Sequence, residues 1–585
     1  MLSRRLGWIA VPIGMCVCWV ACGGSGGGGT SGVQSDGGPG GETSAVANEG
    51  GPDSTVQTPT DAGSDARMGS DAQIPTDAGA DTVAPADATP GSDSAADGAP
   101  GTADSGVSVN VLTNRYDNAR SGANTSESTL TTSNVNTATF GFQFSADVIG
   151  RIYGQPLYVS GLTVGGATHN VVYVATEHNM VYAFDADDGA SLWAKALDAP
   201  VMLGAGTTFN PGCADMGSGA ATYEVGITST PVIDLTAQLI YVVAKTTGKQ
   251  MLHALSLTTG NDGPAPTAVG PAGFSSNNVP LNRPGLLLLN GVVYIAFGSH
   301  CDAPINGYHG WIIGHDAKTL ALSSTYNTTP TGSDGAIWQG GVGLSTDGTG
   351  IWFSVGNGTT GGNNMGMSVV RVTPSGATLT NGPNHSEPAD GDNDLSAGAV
   401  LVGNQVLSGG KSGYVILLNA ADASLAQLVG AGGEVHNVAT WNGGAAGQLV
   451  YTWGTSAPLH AWQLTGGMLT AEQTNSEIAP GHPGGMVTIS SNGTTAGSAV
   501  LWALLPTSGD AWHATAPGAL YAFDASDITK HSLWNSNLDE TPLAPLGTYA
   551  KFSPPTVANG KVYAASFPST TAAAATGKLM VYGLK

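Results

Sequence analysis

The chain has 585 residues, of which 87 are Gly and only 10% are charged; 18 Lys+Arg face 42 Asp+Glu, for a formal net charge of -24. Phosphate backbones need a basic footprint, so nucleic acid is excluded as the main partner. Attachment to an anionic membrane surface by charge alone is excluded on the same balance.

Arg4 and Arg5 precede an apolar run from Leu6 to Ala21 that Pro12 and Gly14 interrupt. The run is short for a membrane span and has the order of a secretory signal peptide. It ends in Trp19-Val20-Ala21-Cys22-Gly23, which resembles the bacterial lipobox, where the Cys becomes the acylated N-terminus. Trp19 stands where that motif usually has Leu. The resemblance implies a lipid bilayer as partner through Cys22, and an exported protein anchored to the outer membrane, on its periplasmic face or the cell surface. The alternative is an ordinary signal peptide cut nearby, with Cys22 incidental.

Residues 23–108 hold no Phe, Trp, Tyr, Lys or Cys, and carry 13 Asp+Glu against Arg67 alone, a net of -12. Such a segment buries too little apolar surface to offset chain entropy, so disorder is expected. Asp61, Asp65, Asp71, Asp77, Asp81, Asp87, Asp93 and Asp97 recur every four or six residues. Like charges at this spacing repel and extend the chain, as in a tether. A calcium-binding acidic repeat is the competing reading.

From 109 to 585 the composition turns to Gly, Val, Thr and aromatics, and repeats appear. The clearest unit runs Gln155-Pro156-Leu157-Tyr158, Val171–Thr176, Val181–Ala186, then Leu192-Trp193. These are four short β-branched or aromatic runs separated by turn residues, the pattern of four successive strands. The unit occurs eight times in all, with equivalent central-strand positions Tyr173, Tyr241, Tyr294, Trp352, Leu407, Tyr451, Trp502 and Tyr563. The spacing suits four-stranded blades, so the expected fold class is all-β: a single eight-bladed β-propeller of four-stranded antiparallel blades. The alternating Phe140, Phe142 and Phe144 are expected to supply the outer strand of the last blade and hide an edge. The repeated tyrosines read as core or inter-blade packing.

The runs at 172–193, with their echo at Tyr521–Asp524, resemble the repeat of pyrroloquinoline-quinone-type propellers, the quinoprotein alcohol dehydrogenase superfamily. The resemblance covers nearly all of 109–585 at the level of repeats. That superfamily includes dehydrogenases that bind the quinone and scaffold lipoproteins that bind none. The vicinal cysteine pair of many such dehydrogenases is missing here, as is a Cys-x-x-Cys-His haem motif.

Cys213 and Cys301 are the two cysteines of this region. In an exported protein an isolated pair reads as a disulfide. A metal site with His300, or two free thiols, are the alternatives. Asp390, Asp392 and Asp394 alternate along the chain and offer oxygen ligands for calcium, against a plain solvated turn.

In a propeller the residues entering each innermost strand ring one mouth of the axis. Those polar residues are Tyr153, Gln155, Glu224, Thr228, Arg283, Gln339, Asp394, His436, His482 and Lys551. They are expected either to bind a ligand or to satisfy one another and axial water. Trp338 and Trp441 could offer a stacking floor, or pack in the core. Three functions fit. The first is a cell-envelope lipoprotein whose propeller binds a ligand or an envelope partner, most simply as a monomer. The second, implied by the resemblance, is a dehydrogenase of alcohols or sugars using pyrroloquinoline quinone and calcium, with Asp394 or Glu224 as base. The third is a polysaccharide-binding or lyase-like propeller that uses Arg283, His436, His482 and Lys551 on an acidic sugar.

Overall fold

The computed structural model describes residues 109–203, 223–274, 279–300, 308–388, 391–511, 514–539, 541 and 545–585. The expected signal peptide and lipobox with Cys22, the expected tether at 23–108, Cys213, Cys301 and Asp390 lie outside the described residues.

The described chain is all-β, with one sheet of ten strands, one of nine, four of four and two of two; within them successive strands pair antiparallel in groups of four. The first unit is Leu157–Val164, Ala167–Ala175, Met180–Asp185 and Ser191–Ala196. The first strands of the next six are Val232–Asp234, Leu287–Leu289, Ser345–Thr346, Val400–Val402, Ala439–Asn442 and Met486–Ser490. The eighth unit is Thr556–Ala558, Lys561–Phe567 and Thr576–Leu584, completed by Phe140–Ile149 from the other end of the chain. Its Phe140 is fully buried against Trp502 and Trp534. The alternating phenylalanines thus close the last unit, as the sequence pattern predicts.

Central strands are buried on both faces: Ile351–Val355 and Gln405–Gly409 have no residue that is even half-exposed. This is why they read as continuous apolar runs. Outer strands such as Ser191–Ala196 alternate, because one face meets solvent. Each central-strand position inferred from the repeat pairs with its unit's first strand. The pairs are Leu157 with Tyr173, Val232 with Tyr241, Leu287 with Tyr294, Ser345 with Trp352, Val400 with Leu407, Ala439 with Tyr451, Thr488 with Trp502 and Thr556 with Tyr563.

Tyrosines at that position tie neighbouring units together. The hydroxyl of Tyr173 donates to Leu257 O at 3.0 Å, that of Tyr241 to Ala317 O at 2.9 Å, and that of Tyr451 to Ala525 O at 2.7 Å. Each acceptor lies just after the third strand of the following unit. Tyr563 of the eighth unit reaches Ala186 of the first in the same way.

The segment from Val111 to Asn124 forms a hub. Val111 exchanges backbone hydrogen bonds with Tyr158, and the amides of Ile233, Thr346, Leu401, Thr440 and Ile489 donate to carbonyls of Leu112, Asn118, Ala119, Ser121 and Gly122. Asn124 Nδ2 adds Val557 O at 2.9 Å. All these partners stand one place after the position that pairs with the central strand. The hub therefore meets the first strands in the order in which the units follow along the chain. Arg120 brings in the third and fourth units through Leu286 O and Leu344 O, and Arg115 bonds Val438 O and Val487 O of the sixth and seventh. Both arginines are buried, and burial lowers each guanidinium to about 10. They satisfy carbonyls that the short inner strands would otherwise leave unpaired. Arg115, Tyr116 and Arg120 hold φ of 61°, 74° and 63°, a conformation that costs non-glycine residues energy and persists only when the surroundings fix it.

Candidate functional site

Five entry segments from different units converge beside the hub, and Phe552 is where they meet. Its ring lies 4.9 Å from that of Trp338 and 5.4 Å from that of His436, both edge-on. Arg283 Cζ is 5.7 Å from the same ring and Lys551 Nζ 5.5 Å. The Arg283 guanidinium also stands over Tyr153 at 5.3 Å and Trp338 at 5.9 Å. Phe552 is buried yet holds φ of +60°. A bulky residue in the left-handed region is strained, and such strain concentrates at sites that need a side chain aimed against the local preference.

Arg283 enters the third unit's first strand. Its Nη1 donates to Thr228 O at 2.8 Å, and its Nη2 is buried with no hydrogen-bond partner among the described residues. Burial lowers this guanidinium to about 10, so it remains a cation at neutral pH. Gly341 makes room for it: a Cβ there would come within 2.5 Å of Nη1.

On the other side of Phe552, His436 and His482 stand with ring centroids 5.3 Å apart. Glu434 joins them, its Oε2 lying 2.8 Å from His482 Nδ1 and 3.4 Å from His436 Nε2. Hydrogen bonds from His436 and His482 hold the Glu434 carboxyl below the usual range, while burial lowers the His436 imidazole. His436 Nδ1 is buried and unpartnered.

Of the residues singled out from sequence, Tyr153, Thr228, Arg283, His436, His482 and Lys551 thus form one linked group. Gln155 does not join it: its Oε1 accepts from Arg115 N at 2.8 Å and Asn114 Nδ2 at 3.4 Å, so it seats the hub. Gln339 is fully buried and bonds Val342 O and Ser354 N, which shapes its own turn. Both Glu224 oxygens are engaged, by His178 Nδ1 at 2.7 Å and Ala574 N at 2.9 Å. Trp441 is a core residue whose indole donates to Ser491 Oγ.

The acidic turn carries its own cation. Lys411 Nζ lies 2.8 Å from both Asp392 oxygens and from Asp394 Oδ2, and Asn357 N donates to Asp394 Oδ1. Burial works against this ammonium, yet Asp394 and Asp392 raise its pKa above the ordinary lysine value. The oxygens expected to face calcium therefore face an ammonium, because the Gly410-Lys411 turn folds back over them.

Sequence reasoning missed Phe552 and Glu434. Phe552 looks like any core aromatic. Glu434 could have been found from its Glu-x-His spacing in a segment entering a first strand.

No protein-family model matches the chain, and no curated protein matches its sequence. Solved structures do match in fold. A quinohemoprotein alcohol dehydrogenase from Pseudomonas putida HK5 aligns over 81% of this chain and 80% of its own, at 14% identity and TM-score 0.53. The quinohemoprotein alcohol dehydrogenase from Comamonas testosteroni gives the same coverages and identity with TM-score 0.50. A europium-containing methanol dehydrogenase aligns over 81% of this chain and 98% of its own, at 13% identity and TM-score 0.51. The fold is that of a PQQ-like β-propeller. At these identities the likeness carries the architecture alone, and the chemistry has to come from the residues around Phe552.

Proposed function

We propose that residues 109–585 form one eight-bladed propeller of the cell envelope, and that its mouth around Phe552 binds a ring compound bearing an anionic group. Eight four-strand units, clipped from eighth to first by Tyr563 and joined by the hub, support the blade count. The signal-like start supports export, with Cys22 as lipid anchor and 23–108 as tether.

The observation that carries the binding reading is Arg283 Nη2, without a partner among the described residues and buried beside three aromatic rings. A buried donor without an acceptor is costly, and an anionic group supplies the missing acceptor through a charge-assisted bond. Lys551 and His436 also stand against the Phe552 ring, and His482 against His436. An acidic sugar suits this arrangement: its carboxylate meets Arg283 and its apolar ring face meets the aromatics.

A planar quinone carrying carboxylates would suit the same donors, and the fold is shared with quinoprotein dehydrogenases. Calcium takes six to eight oxygen ligands, and at the acidic turn it would compete with Lys411 for Asp392 and Asp394. Both oxygens of Glu224 and of Asp394 already accept hydrogen bonds within the protein. Binding without turnover is therefore the favoured reading.

Titration calorimetry of the purified chain with an oligogalacturonate, its methyl ester and pyrroloquinoline quinone tests this. Saturable binding of the uronate is expected, weakened about tenfold or more by esterification or by Arg283→Ala, a loss of roughly 1.4 kcal/mol. Saturable binding of the quinone alone, strengthened by calcium, would install the dehydrogenase reading instead. Binding of neither would overturn the assignment of the mouth.

A further inference from the structure

We propose that Glu434, His436 and His482 form a binding site for a divalent transition metal of the imidazole-preferring class, with zinc as its natural occupant. Among the described residues these three form a group whose ligand atoms all lie within 4.8 Å of one another. A tetrahedral ion with bonds of about 2.1 Å sets its ligands about 3.4 Å apart. Glu434 Oε2 and His436 Nε2 are already 3.4 Å apart, and Oε2 and His482 Nδ1 are 2.8 Å apart. The third pair, His436 and His482, lies within 4.8 Å, so the ion draws the two imidazoles together by no more than about 1.4 Å while the Glu434–His482 pair opens by about 0.6 Å.

The scaffold fixes the three groups from two directions. Glu434 and His436 lie two residues apart in the stretch entering the Ala439–Asn442 strand, so their side chains share a side of that extended segment. His482 enters the neighbouring Met486–Ser490 strand. Two further contacts hold Glu434: Thr455 Oγ1 lies 3.4 Å from Oε2, and Thr455 N donates to Glu434 O at 3.2 Å. His436 is 3% exposed; its Nε2 donates to Glu434, and its Nδ1 has no partner among the described residues. Coordination through Nε2 would place the ring proton on Nδ1.

Two imidazoles and one carboxylate suit zinc and its neighbours rather than calcium or magnesium, which seek oxygen. Three protein ligands also leave a coordination position open, the pattern of sites that accept water or a substrate oxygen. The His436 ring touches Phe552, so that position lies beside the mouth. Zinc binding at these side chains requires neither a glycan nor a quinone, so its test is separate from that of the ligand.

The test is zinc content and calorimetry of the intact exported chain, stripped with chelator and then titrated with zinc chloride, with calcium chloride in parallel. One equivalent of zinc is expected, with a rise in thermal midpoint that calcium does not give. His482→Ala and Glu434→Gln each remove a ligand from a partly exposed position. They should weaken that equivalent by at least about 100-fold, more than loss of a supporting contact costs. The Cys213→Ser/Cys301→Ser double variant should keep it. Cobalt added to the stripped wild type should give visible bands that both ligand variants lose. Absence of stoichiometric zinc binding, or zinc binding unchanged in both ligand variants, would overturn the proposal.

Discussion

The Tyr563 hydroxyl donates to the Ala186 carbonyl at 3.2 Å, joining residues 377 places apart. It repeats between the eighth and first units the link that Tyr173 makes between the first and second. The two bonds differ in one respect. Leu257 O, the acceptor of Tyr173, also receives the Trp193 indole at 2.9 Å.

Tyr563→Phe should therefore cost more than Tyr173→Phe, since the Leu257 carbonyl keeps a donor. Losses of roughly 1–2 kcal/mol and below about 1 kcal/mol are expected. Urea unfolding of the two variants checks this, and the reverse order would refute the link's role in closure.

The hub should be indispensable where the preceding chain is not. Removal of residues 1–108 should leave the thermal midpoint within a few degrees, while removal through residue 126 should abolish cooperative unfolding. Arg115→Ala and Arg120→Ala should each cost roughly 3 kcal/mol, because each strands buried carbonyls. Circular dichroism melts decide the matter, and an intact melt after the longer deletion would show that the ring does not need its centre.

Glu177 gives a pH dependence with a defined sign. It is buried and ion-paired with Arg151 at 3.0 Å. Burial raises its carboxyl to about 7 despite the opposing Arg151 charge. The folded protein then holds this proton more tightly than the unfolded chain, whose value is 4.5. Stability from this group is full below the lower value and is lost as pH rises through the upper one. Wild-type stability relative to Glu177→Gln should fall between about pH 5 and about pH 7.5. Denaturant midpoints across that range measure it, and a constant difference would contradict the assignment.

Lys411 predicts how the acidic turn responds to calcium. With the ammonium between Asp392 and Asp394, calcium at about 1 mM, the range of weak extracellular sites, should leave the melting temperature unchanged. Lys411→Ala uncovers the carboxylates, so the variant should be less stable and should recover some stability with calcium. A calcium-induced rise in the wild type would point instead to a cage that admits the ion beside the lysine.

Gly341→Ala should displace the Arg283 guanidinium, since the new Cβ would lie within 2.5 Å of Nη1 and φ is +87° there. Loss of uronate binding similar to that of Arg283→Ala is expected, with added destabilisation of roughly 1 kcal/mol or more. Titration of a variant shown to be folded makes the comparison, and undiminished binding would remove Arg283 from the mouth.

Much of the architecture was legible because strands buried on both faces leave continuous apolar runs. Tyr173, Tyr241 and Tyr563 mark one register, and that register is paired as inferred. The alternation of Phe140, Phe142 and Phe144 likewise betrayed a strand with one face on the core. The hub was not legible. Arg115 and Arg120 bind backbone carbonyls 166 to 372 residues away, and carbonyls carry no sequence signature. At the mouth, cationic residues could be listed from their register, but their sorting could not. Gln155 belongs to the hub and Gln339 to its own turn because of local bonds that only the folded chain reveals. The Glu434, His436 and His482 group joins residues 48 places apart, too far for a spacing motif.

The position of the hub at the start of the folded chain has a consequence for biosynthesis. Asn124 is made 433 residues before Val557, the last of its acceptors named above. At roughly 5–20 residues per second, it waits some 20–90 s for that partner to exist. The hub is thus synthesised before the strands it binds and is among the last parts to be satisfied, and Phe140–Ile149 waits for an even later strand. Units built from neighbouring strands need no such distant partner, but the whole cannot lock until Thr576–Leu584 has been made. A chain truncated before Thr576 would leave Phe140–Ile149 without its partner, an exposed edge that marks the product for chaperones and proteases.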